Sequence, residues 1–321
     1  MKGKAVLITG GTGSFGRRFA ELVLAKYQPR KLIIFSRDEH KQSEMQTVLN
    51  DPRVRYFLGD VRDRDRLRYA FHEVDIVVHA AALKQVPMLE TNPFEAVKTN
   101  IIGAGNVIDA AIECGVQKVM ALSSDKAVNP INIYGATKLC AEKLFVDGNT
   151  YTGSRPTRFS VVRYGNVVGS RGSVIPIFRK QAARGILEIT DKRMTRFWLT
   201  LTQGVEFVVR CMDSMKGGEI FVPRIPSMRI IDLASAMGPS CKIKHIGIRP
   251  GEKLHEVLLT EDEARHALAF DEFFVIKPED PQWGYDEWVG GKVLPEGFRY
   301  SSDQNDTWLS SDKLLAMLDC E

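Results

Sequence analysis

The chain has 321 residues, of which 44% are hydrophobic and 26% are charged, and its formal net charge is +4. This composition is typical of a folded globular protein and excludes a disordered or collagen-like chain. The small basic excess predicts no nucleic-acid partner. No window reaches about 18 uninterrupted apolar residues, and the first apolar run is too short for a signal peptide. We therefore expect a protein that spans no membrane.

The cysteines are scattered, with no Cys-x-x-Cys pair and no ligand spacing to a histidine. They are Cys114, Cys140, Cys211, Cys241 and Cys320. An odd, scattered set is typical of reduced thiols in the cytoplasm rather than of a disulfide framework. It also predicts no zinc or other metal site.

Short apolar runs alternate with amphipathic stretches over the first half of the chain. The predicted strands are rich in Val and Ile and cover residues 5–9, 31–36, 55–58, 75–79, 118–122 and 159–163. The predicted helices cover residues 15–26, 64–71, 93–114 and 133–146. A further helix at 203–215 and a strand at 219–223 precede a mixed, loop-rich end. This repeat indicates a doubly wound α/β sheet.

We predict two domains from this organisation. A Rossmann-type dinucleotide-binding domain covers residues 1–167 and 196–230. A smaller substrate domain covers residues 168–195 and 231–321.

A glycine-rich segment, TGGTGSFG, follows the first predicted strand directly and leads into the first predicted helix. Gly11, Gly13 and Gly16 match the G-x-G-x-x-G pattern, in which small residues let the backbone approach a pyrophosphate. The amides and the dipole of the following helix would then point at that anion. A structural turn can carry the same letters, but the position between a strand and a helix predicts a dinucleotide site.

The end of the second predicted strand distinguishes NAD from NADP. An NAD site carries Asp or Glu there for the ribose, whereas this chain has Ser36 and Arg37, with Lys41 nearby. A guanidinium binds phosphate with two parallel hydrogen bonds, so the segment favours the 2′-phosphate of NADP. The alternative is a surface arginine beside Asp38. After the third strand, Asp60 is a candidate acceptor for the adenine amino group.

Tyr134 and Lys138 are four residues apart, on one face of a predicted helix. A cation held near the phenol would lower the pKa of Tyr134 and make it a base for a sugar hydroxyl. This spacing alone is common by chance. Here the preceding predicted strand runs into Ser124, Asp125 and Lys126, at the sheet edge where doubly wound folds bind ligands.

In these motifs the chain resembles the extended short-chain dehydrogenase/reductase superfamily. The glycine loop, the strand end at His79, Asn100, Ser124 and the Tyr–Lys pair fall in the same order. Most nucleotide-sugar 4,6-dehydratases of that superfamily carry Asp-Glu after the serine. This chain has Asp125-Lys126 and is similar to the C5-inverting UDP-N-acetylglucosamine 4,6-dehydratases. Strings such as SSDKAVNPINIYGATKL and GIRPGEKLHE extend the likeness nearly end to end, most weakly between residues 260 and 297.

The resemblance implies a reaction on UDP-N-acetylglucosamine. Tyr134 removes the 4-hydroxyl proton while hydride passes from carbon 4 to NADP⁺. Lys126 then removes the carbon 5 proton and Asp125 protonates the departing 6-hydroxyl. Hydride returns to carbon 6, and carbon 5 is reprotonated from the opposite face. The product would be UDP-2-acetamido-2,6-dideoxy-β-L-arabino-hex-4-ulose, made in the first step of pseudaminic acid biosynthesis.

The resemblance also implies the residues of each subsite. Catalytic roles are implied for Ser124, Asp125, Lys126, Tyr134 and Lys138. Cofactor binding is implied for Gly10, Thr12, Gly13, Ser14, Phe15, Gly16, Ser36, Arg37, Asp38, Glu39, Lys41, Asp60, Val61, Ala80, Ala81, Ala82, Lys84, Asn100, Tyr134, Lys138 and Val167. Substrate binding is implied for Lys84, Asn166, Val174, Thr195, Arg196, Arg249 and Glu252. Residues 170–174 would lead into the substrate domain, and His79 is expected to pack at its strand end rather than catalyse.

The role of Lys126 makes the strongest physical demand, because an ammonium with a pKa of about 10.4 is a poor base at neutral pH. We therefore expect burial, or positive charge from Lys138 and the oxidised nicotinamide, to depress its pKa. The alternative interpretation is a structural lysine that pairs with its neighbour Asp125.

Three other functions stay open at this point. A C5-retaining 4,6-dehydratase shares every step except the last protonation, and Lys126 in place of Glu disfavours it. A UDP-hexose 4-epimerase stops at the ketone, which leaves the Asp125–Lys126 pair without a task. A catalytically silent NADP-binding protein would be expected to lack Tyr134 or Lys138. The habit of the superfamily further predicts a homo-oligomer, either a dimer or a hexamer.

Overall fold

The first half of the chain alternates strands with helices, as its apolar pattern predicts. The structure, a computed structural model, describes residues 1–169, 173–278 and 288–319. The strands of this half are β1 (Ala5–Thr9), β2 (Lys31–Ser36), β3 (Val54–Leu58), β4 (Ile76–His79), β5 (Lys118–Leu122) and β6 (Arg158–Val162). The α-helices are α1 (Ser14–Lys26), α2 (Glu39–Val48), α3 (Arg64–Phe71), α4 (Val86–Glu90), α5 (Pro93–Ala96), α6 (Gly103–Cys114) and α7 (Ile133–Asp147). Residues 170–172 and Cys320, named above, lie outside the described residues.

The second half is more mixed. Its strands are β7 (Asn166–Val167), β8 (Ile186–Ile189), β9 (Thr195–Leu199), β10 (Ile220–Pro223), β11 (Ser227–Arg229), β12 (Lys242–His245), β13 (Val257–Leu259), β14 (Ala267–Ala269), β15 (Phe273–Ile276), β16 (Lys292–Val293) and β17 (Tyr300–Ser301). Its helices are α8 (Val174–Ala182), α9 (Leu201–Ser214), α10 (Ile230–Met237), α11 (Glu261–Ala264) and α12 (Ser311–Asp319).

A single ten-stranded sheet runs in the order β16-β14-β15-β10-β6-β5-β4-β1-β2-β3. All pairs from β10 to β3 are parallel, while β15, β14 and β16 join in antiparallel pairs. Strand β1 lies between β2 and β4, so the chain order reverses beside it. Ligands of doubly wound sheets bind outside the carboxyl ends of the strands at such a reversal. The predicted fold class is confirmed.

Both faces of the parallel strands are buried, which explains their continuous apolar sequences. Leu7 and Val77 point into the core on one face of the sheet, packed under α3, α6 and α7. Ile8 and Val78 point into the core on the other face, packed under α1 and α9. Side chains that alternate along one strand therefore contribute to two separate cores.

A third core, centred on Trp198, holds the smaller lobe together with α8, α10 and α12. Three small sheets, β11-β9-β7, β12-β8 and β13-β17, belong to this part of the molecule or to its junction with the large sheet. The predicted division into two domains stays a prediction. The strands β14, β15 and β16, which fall in the predicted substrate domain, hydrogen-bond into the large sheet.

One long predicted helix is interrupted. The segment predicted as a helix over residues 93–114 consists of α5, a π-helix (Val97–Ile102) and α6. Asn100 lies in the π-helix, where its side chain accepts from the Leu83 amide at 2.8 Å and donates to the Leu83 carbonyl at 2.9 Å. It also donates to Thr137 Oγ1 at 3.0 Å. The wider turn thus ties the segment after β4 to α7, and π-helical turns of this kind are frequent near functional sites.

Within the described residues, no helix is both long enough and apolar enough to span a membrane. The same residues contain no group of three or more His, Cys, Asp or Glu side chains arranged to hold a metal ion. The four cysteines in the described part of the chain carry free thiols: Cys114, Cys140, Cys211 and Cys241.

Candidate active site

A cleft of about 830 Å³ runs along the carboxyl ends of the parallel strands and continues between the large sheet and the smaller lobe. All but three of the predicted site residues line it. The exceptions are Glu39, Asn100 and Thr195. Polar side chains from β1, β2, β5, α7 and the smaller lobe therefore meet in one cavity, although they lie far apart in the sequence.

The glycine loop forms one end of the cleft and fits a dinucleotide. Gly10 has a φ of +66°, and a Cβ there would come within 2.9 Å of the Ala81 backbone. A Cβ on Gly16 would lie only 2.4 Å from the Gly11 carbonyl oxygen. Gly13 caps α1 without any side-chain hydrogen bond, and the first turn holds no acidic residue. The helix N-terminus can therefore receive a phosphate, and close backbone packing explains the glycines.

The segment after β2 carries the predicted ribose contacts. The Ser36 hydroxyl accepts from Gln42 Nε2 at 3.1 Å, which holds it at the strand end. Arg37 is largely exposed, with its guanidinium 3.8 Å from Asp60 Oδ2. Asp38 caps α2 by accepting from the Lys41 amide at 3.0 Å and also pairs with the Lys41 ammonium. The hydrogen bond from the Lys41 ammonium is the largest cause that lowers the pKa of Asp38.

Asp60 follows β3, and its carboxylate is ion-paired with Arg62. Its carboxylate accepts from Arg62 Nη2 at 2.8 Å and from Arg62 Nε at 3.0 Å. Partial burial opposes the charged form, but the Arg62 hydrogen bonds outweigh it and lower the pKa of Asp60. The carboxylate is thus an ionised acceptor at the cleft wall, which suits the predicted contact with an amino group.

The tip of β5 places the predicted acid and base side by side. A short 3₁₀ turn (Asp125–Ala127) begins after Ser124, whose hydroxyl accepts from the Lys126 amide at 3.1 Å. The same hydroxyl donates to Asp125 Oδ1 at 2.7 Å, and Lys126 Nζ donates to that oxygen at 2.9 Å. Asp125 is 1% exposed, and its Oδ2 has no hydrogen-bond partner among the described residues. One buried carboxylate oxygen therefore remains to meet a ligand.

Tyr134 enters the cleft from the first turn of α7. Burial raises the pKa of its phenol, and the Lys126 ammonium and Ser124 offset this only in part, so the pKa of Tyr134 is raised rather than lowered as predicted. Lys138, one turn further on, donates to the Leu122 carbonyl at 2.6 Å. Burial lowers the pKa of Lys138 to about 8, and Glu142 opposes this shift. Lys126 is thus a cation that partly offsets the burial of the phenol, and the role of Lys138 beside Tyr134 stays a prediction.

The predicted depression of the Lys126 pKa is wrong for this arrangement. Burial does lower it, but the carboxylates of Asp125 and Glu256 outweigh burial, so the pKa of Lys126 is raised. Glu256 Oε1 lies 3.4 Å from Lys126 Nζ, opposite Asp125. Lys126 rests as an ammonium between two carboxylates.

The smaller lobe supplies residues that the sequence analysis did not single out. Glu256 precedes β13, is buried, and also lies 3.7 Å from both Arg196 Nε and Lys253 Nζ. Lys253 Nζ donates to the Val128 carbonyl at 2.5 Å, just after the Asp125–Ala127 turn. Both residues fall in the string GIRPGEKLHE, which pointed to this segment but not to their roles.

Two predicted substrate-binding residues, Thr195 and Arg196, use their polar atoms in hydrogen bonds to other parts of the protein. Thr195 Oγ1 hydrogen-bonds to His255 Nδ1 at 2.8 Å and to Ser302 Oγ at 2.7 Å, away from the cleft. Arg196 lines the cleft, but its Nη2 donates to the Lys253 carbonyl at 2.9 Å and its Nη1 donates to two further carbonyls. Its guanidinium braces the Lys253 segment.

The remaining predicted substrate residues sit at the cleft wall. Asn166 and Val174 lie on β7 and at the start of α8. Arg249 Nη1 lies 3.8 Å from Glu252 Oε1 in the turn that faces α7. Burial and then repulsion by Lys126 lower the pKa of Lys84, on the other wall. The Arg249 guanidinium and the Glu252 carboxylate thus lie at the wall of the cleft, where a diphosphate and a ribose could be held.

Beneath the cleft lies a buried ion cluster. Arg163 donates to Glu142 Oε2 at 2.7 Å and to Glu263 Oε1 at 2.7 Å. Ser123, at the end of β5, donates to Glu142. This cluster joins the ends of β5 and β6 to α7 and α11. It therefore connects the strand end that carries Asp125 and Lys126 to the C-terminal part of the chain.

His79 is packed as predicted. Its Nδ1 hydrogen-bonds to Thr9 Oγ1 at 2.8 Å, and its ring lies against Phe145. Burial, and then repulsion by Lys138, lower the pKa of His79 to about 3. The ring is neutral at physiological pH and holds β4 to β1.

Comparison with known proteins places the chain in a family. A family model described as polysaccharide biosynthesis protein matches residues 6–278. A Campylobacter jejuni relative named UDP-N-acetylglucosamine 4,6-dehydratase (inverting) is 52% identical over 325 residues, covering 98% of this chain and 97% of the relative. A Rickettsia canadensis relative named UDP-glucose 4-epimerase is 42% identical and covers 88% of this chain and 85% of the relative. The X-ray structure of Pen from Bacillus thuringiensis has a TM-score of 0.90 at 39% identity, covering 100% of this chain and 99% of that chain.

These comparisons confirm the resemblance drawn from the motifs. The likeness extends over nearly the full length of the dehydratase relative. The chain therefore belongs to the polysaccharide biosynthesis protein family, and within it is a homologue of the inverting UDP-N-acetylglucosamine 4,6-dehydratases.

Proposed function

We propose that this chain is an NADP-dependent UDP-N-acetylglucosamine 4,6-dehydratase that inverts carbon 5. The observation that carries the proposal is the buried pair of Asp125 Oδ1 and Lys126 Nζ, 2.9 Å apart, in the same cleft as Tyr134 and the glycine loop. An acid and a base beside a tyrosine are what an elimination after carbon 4 oxidation needs. The relative at 52% identity carries the same name for its activity.

The cofactor end of the cleft fits a nicotinamide dinucleotide. No side chain among the described residues caps the N-terminus of α1, so the amides of its first turn would hold the pyrophosphate of the cofactor. The turn at Gly10 would let the backbone of the chain approach that pyrophosphate closely. When bound, the nicotinamide supplies the electron acceptor and donor of the reaction. We infer NADP rather than NAD because Ser36 and Arg37 line the ribose end of the cleft, where the exposed Arg37 guanidinium could form a paired hydrogen bond with phosphate.

The chain's own residues then move three protons. Tyr134 Oη, in its deprotonated form, takes the proton of the 4-hydroxyl, and the Lys126 cation offsets part of the burial that opposes this form. The Lys126 proton passes to Asp125 Oδ1 along their hydrogen bond, which creates an amine and a carboxylic acid together. The amine of Lys126 takes the carbon 5 proton, and Asp125 protonates the leaving 6-hydroxyl. Internal transfer explains how a lysine with a raised pKa acts as a base.

The other candidate functions account for fewer of the residues in this cleft. A UDP-hexose 4-epimerase needs Tyr134 but has no use for a buried acid and base at carbons 5 and 6. The epimerase relative at 42% identity makes this the second candidate. A C5-retaining dehydratase would place a carboxylate at the position of Lys126. A silent binding protein would not need Ser124 and Lys126 hydrogen-bonded to Asp125 in the same cleft as Tyr134.

Proton NMR of the purified protein with UDP-N-acetylglucosamine and catalytic NADP⁺ in heavy water tests the proposal. We expect a 6-deoxy-4-keto sugar nucleotide with deuterium at carbon 5 and the L-arabino configuration. The D-xylo product would indicate retention, and a 4-epimer without loss of water would indicate an epimerase. Bound NADP without any turnover would contradict all three enzyme assignments for this substrate.

Three broader proposals accompany this one. We propose that the product enters pseudaminic acid biosynthesis, as the first intermediate of that pathway. A cytoplasmic location is supported by the free thiols of the described cysteines. A homo-oligomer is supported by the exposed apolar side chains of Phe94 and Ile102 on the surface of the π-helix region, and light scattering would test it.

A further inference from the structure

Inversion at carbon 5 leaves one proton without a source. Lys126 takes a proton from one face of that carbon, so a different group must return one to the opposite face. Asp125 has given its proton to the leaving water, and Tyr134 has gained the proton of the 4-hydroxyl. This accounting rests on the proposed function, and it requires a second acid in the cleft.

Lys253 is an acid in the cleft to which no role has yet been assigned. It comes from the smaller lobe, on the segment before β13, whereas Lys126 comes from the tip of β5. The Lys253 side chain lines the cleft and is only 12% exposed. Its Nζ is held by the Val128 carbonyl at 2.5 Å, so the two lysines reach the same cavity from two lobes.

Glu256 links the two lysines. Its Oε1 lies 3.4 Å from Lys126 Nζ and its Oε2 lies 3.7 Å from Lys253 Nζ. The Oε2 atom is buried and accepts no hydrogen bond from the described residues, so it is available to take a proton. Arg196 Nε, at 3.7 Å, is the other cation that faces this carboxylate.

We propose that Lys253 is the second acid of the reaction and that its ammonium returns a proton to carbon 5, on the face opposite to Lys126. After the reduction of carbon 6, an N–H bond of Lys253 would break and a C–H bond would form at carbon 5. Lys253 is left as a neutral amine, and Tyr134 still holds the proton of the 4-hydroxyl.

A series of neighbouring side chains, in which Glu256 is joined to the two lysines by ion pairs at 3.4 and 3.7 Å, balances these two changes. It runs from the tyrosine to the second lysine through Tyr134, Ser124, Asp125, Lys126, Glu256 and Lys253. Transfer of one proton along this series restores the phenolate and the Lys253 ammonium, and no net proton is gained or lost. Burial lowers the pKa of Lys253 whereas carboxylates raise that of Lys126, so Lys253 is the stronger acid of the two lysines.

Lys253→Arg and Lys253→Met separate proton donation from charge and packing. Arginine keeps the cation beside Glu256 but does not release a proton at physiological pH. Each purified variant would be given UDP-N-acetylglucosamine and NADP⁺ in heavy water, with the L-arabino product followed by NMR. Absorbance at 340 nm in a single turnover reports the first oxidation and shows that the site is folded. Lys242→Met, an exposed lysine on β12 of the same lobe, is the matched control.

We expect both Lys253 variants to lose L-arabino product formation about 100-fold or more while the 340 nm signal remains. The control should match the unaltered enzyme. L-arabino product from Lys253→Arg at a rate within about threefold of the unaltered enzyme would overturn the assignment, because charge alone would then suffice. Loss of the 340 nm signal in that variant would also overturn it, since Lys253 would act before carbon 5. Absence of any dehydration by the unaltered enzyme would instead contradict the proposed function.

Discussion

Replacement of Arg163 by Met tests how far the site depends on the ion cluster beneath it. The Arg163 guanidinium is 1% exposed and makes bonds of 2.7, 2.9 and 3.1 Å to Glu142. It also bonds to Glu263 at 2.7 Å and to the Leu258 carbonyl at 3.2 Å. Methionine occupies a similar length but leaves Glu142 as an uncompensated charge in the core. Removal of one partner of a buried pair costs about 3–5 kcal/mol.

Urea unfolding of Arg163→Met should therefore show a loss of about 3–5 kcal/mol in the free energy of unfolding. Arg193→Met is the matched control, because Arg193 makes a similar paired contact with Asp191 but is 62% exposed. An exposed pair contributes about 1 kcal/mol or less. The double variant Arg163→Met, Glu142→Gln should recover part of the loss, since it removes the buried negative charge. Equal losses in the two single arginine variants would refute this reasoning.

Four further predictions address the cofactor and the chemistry. Gly10→Ala should lower the free energy of unfolding by about 1–3 kcal/mol and weaken NADPH binding in a fluorescence titration, because φ is +66° and the new Cβ meets the Ala81 backbone; unchanged affinity would contradict the loop assignment. Arg37→Gln should weaken NADPH about 10- to 100-fold and NADH less than about threefold, and equal losses would exclude a phosphate contact. Lys126→Arg keeps a cation beside Tyr134 and should lower the rate of dehydration about 100-fold or more while the 340 nm signal of the first oxidation persists; an unchanged rate of dehydration would remove Lys126 from the mechanism. The pKa of His79 is lowered to about 3, so between pH 7 and 4.5 its imidazole binds a proton only in the unfolded chain. The free energy of unfolding should therefore fall by about 2–3 kcal/mol over that range. In urea unfolding, His79→Gln should reduce this pH dependence, and an unchanged dependence would contradict the reasoning.

The large sheet could be predicted because its strands are buried on both faces. Strands such as β1, β2 and β5 begin and end at the predicted residues, since each apolar run is bounded by polar or glycine residues. Helix α2 was missed, because only Gln42 and Met45 among its residues are buried and its apolar pattern is weak. The π-helix was missed for another reason. Asn100 is held there by Leu83 and Thr137, contacts that depend on tertiary structure.

The cofactor half of the site was predictable for a related reason. The glycine loop, Ser36 and Tyr134 lie at strand ends or helix starts, and the sheet topology brings such ends together. The smaller lobe lacks that regularity. Thr195 and Arg196 lie on β9, where the strand direction alone does not indicate which side chain faces the cleft and which makes structural hydrogen bonds.

The ionisation of Lys126 shows most clearly what sequence reasoning could not reach. A base needs a depressed pKa, so the sequence led us to expect cations around Lys126. The folded chain instead brings Glu256, from about 130 positions further along, against the same ammonium. Two carboxylates around one lysine stabilise its charged form. Such an enzyme can still use that lysine as a base if one of the carboxylates receives the lysine's own proton and is the acid of the next step. Asp125, 2.9 Å away, is placed to receive that proton, so the contact that stabilises the ammonium also gives its proton a route to the proposed acid of the next step.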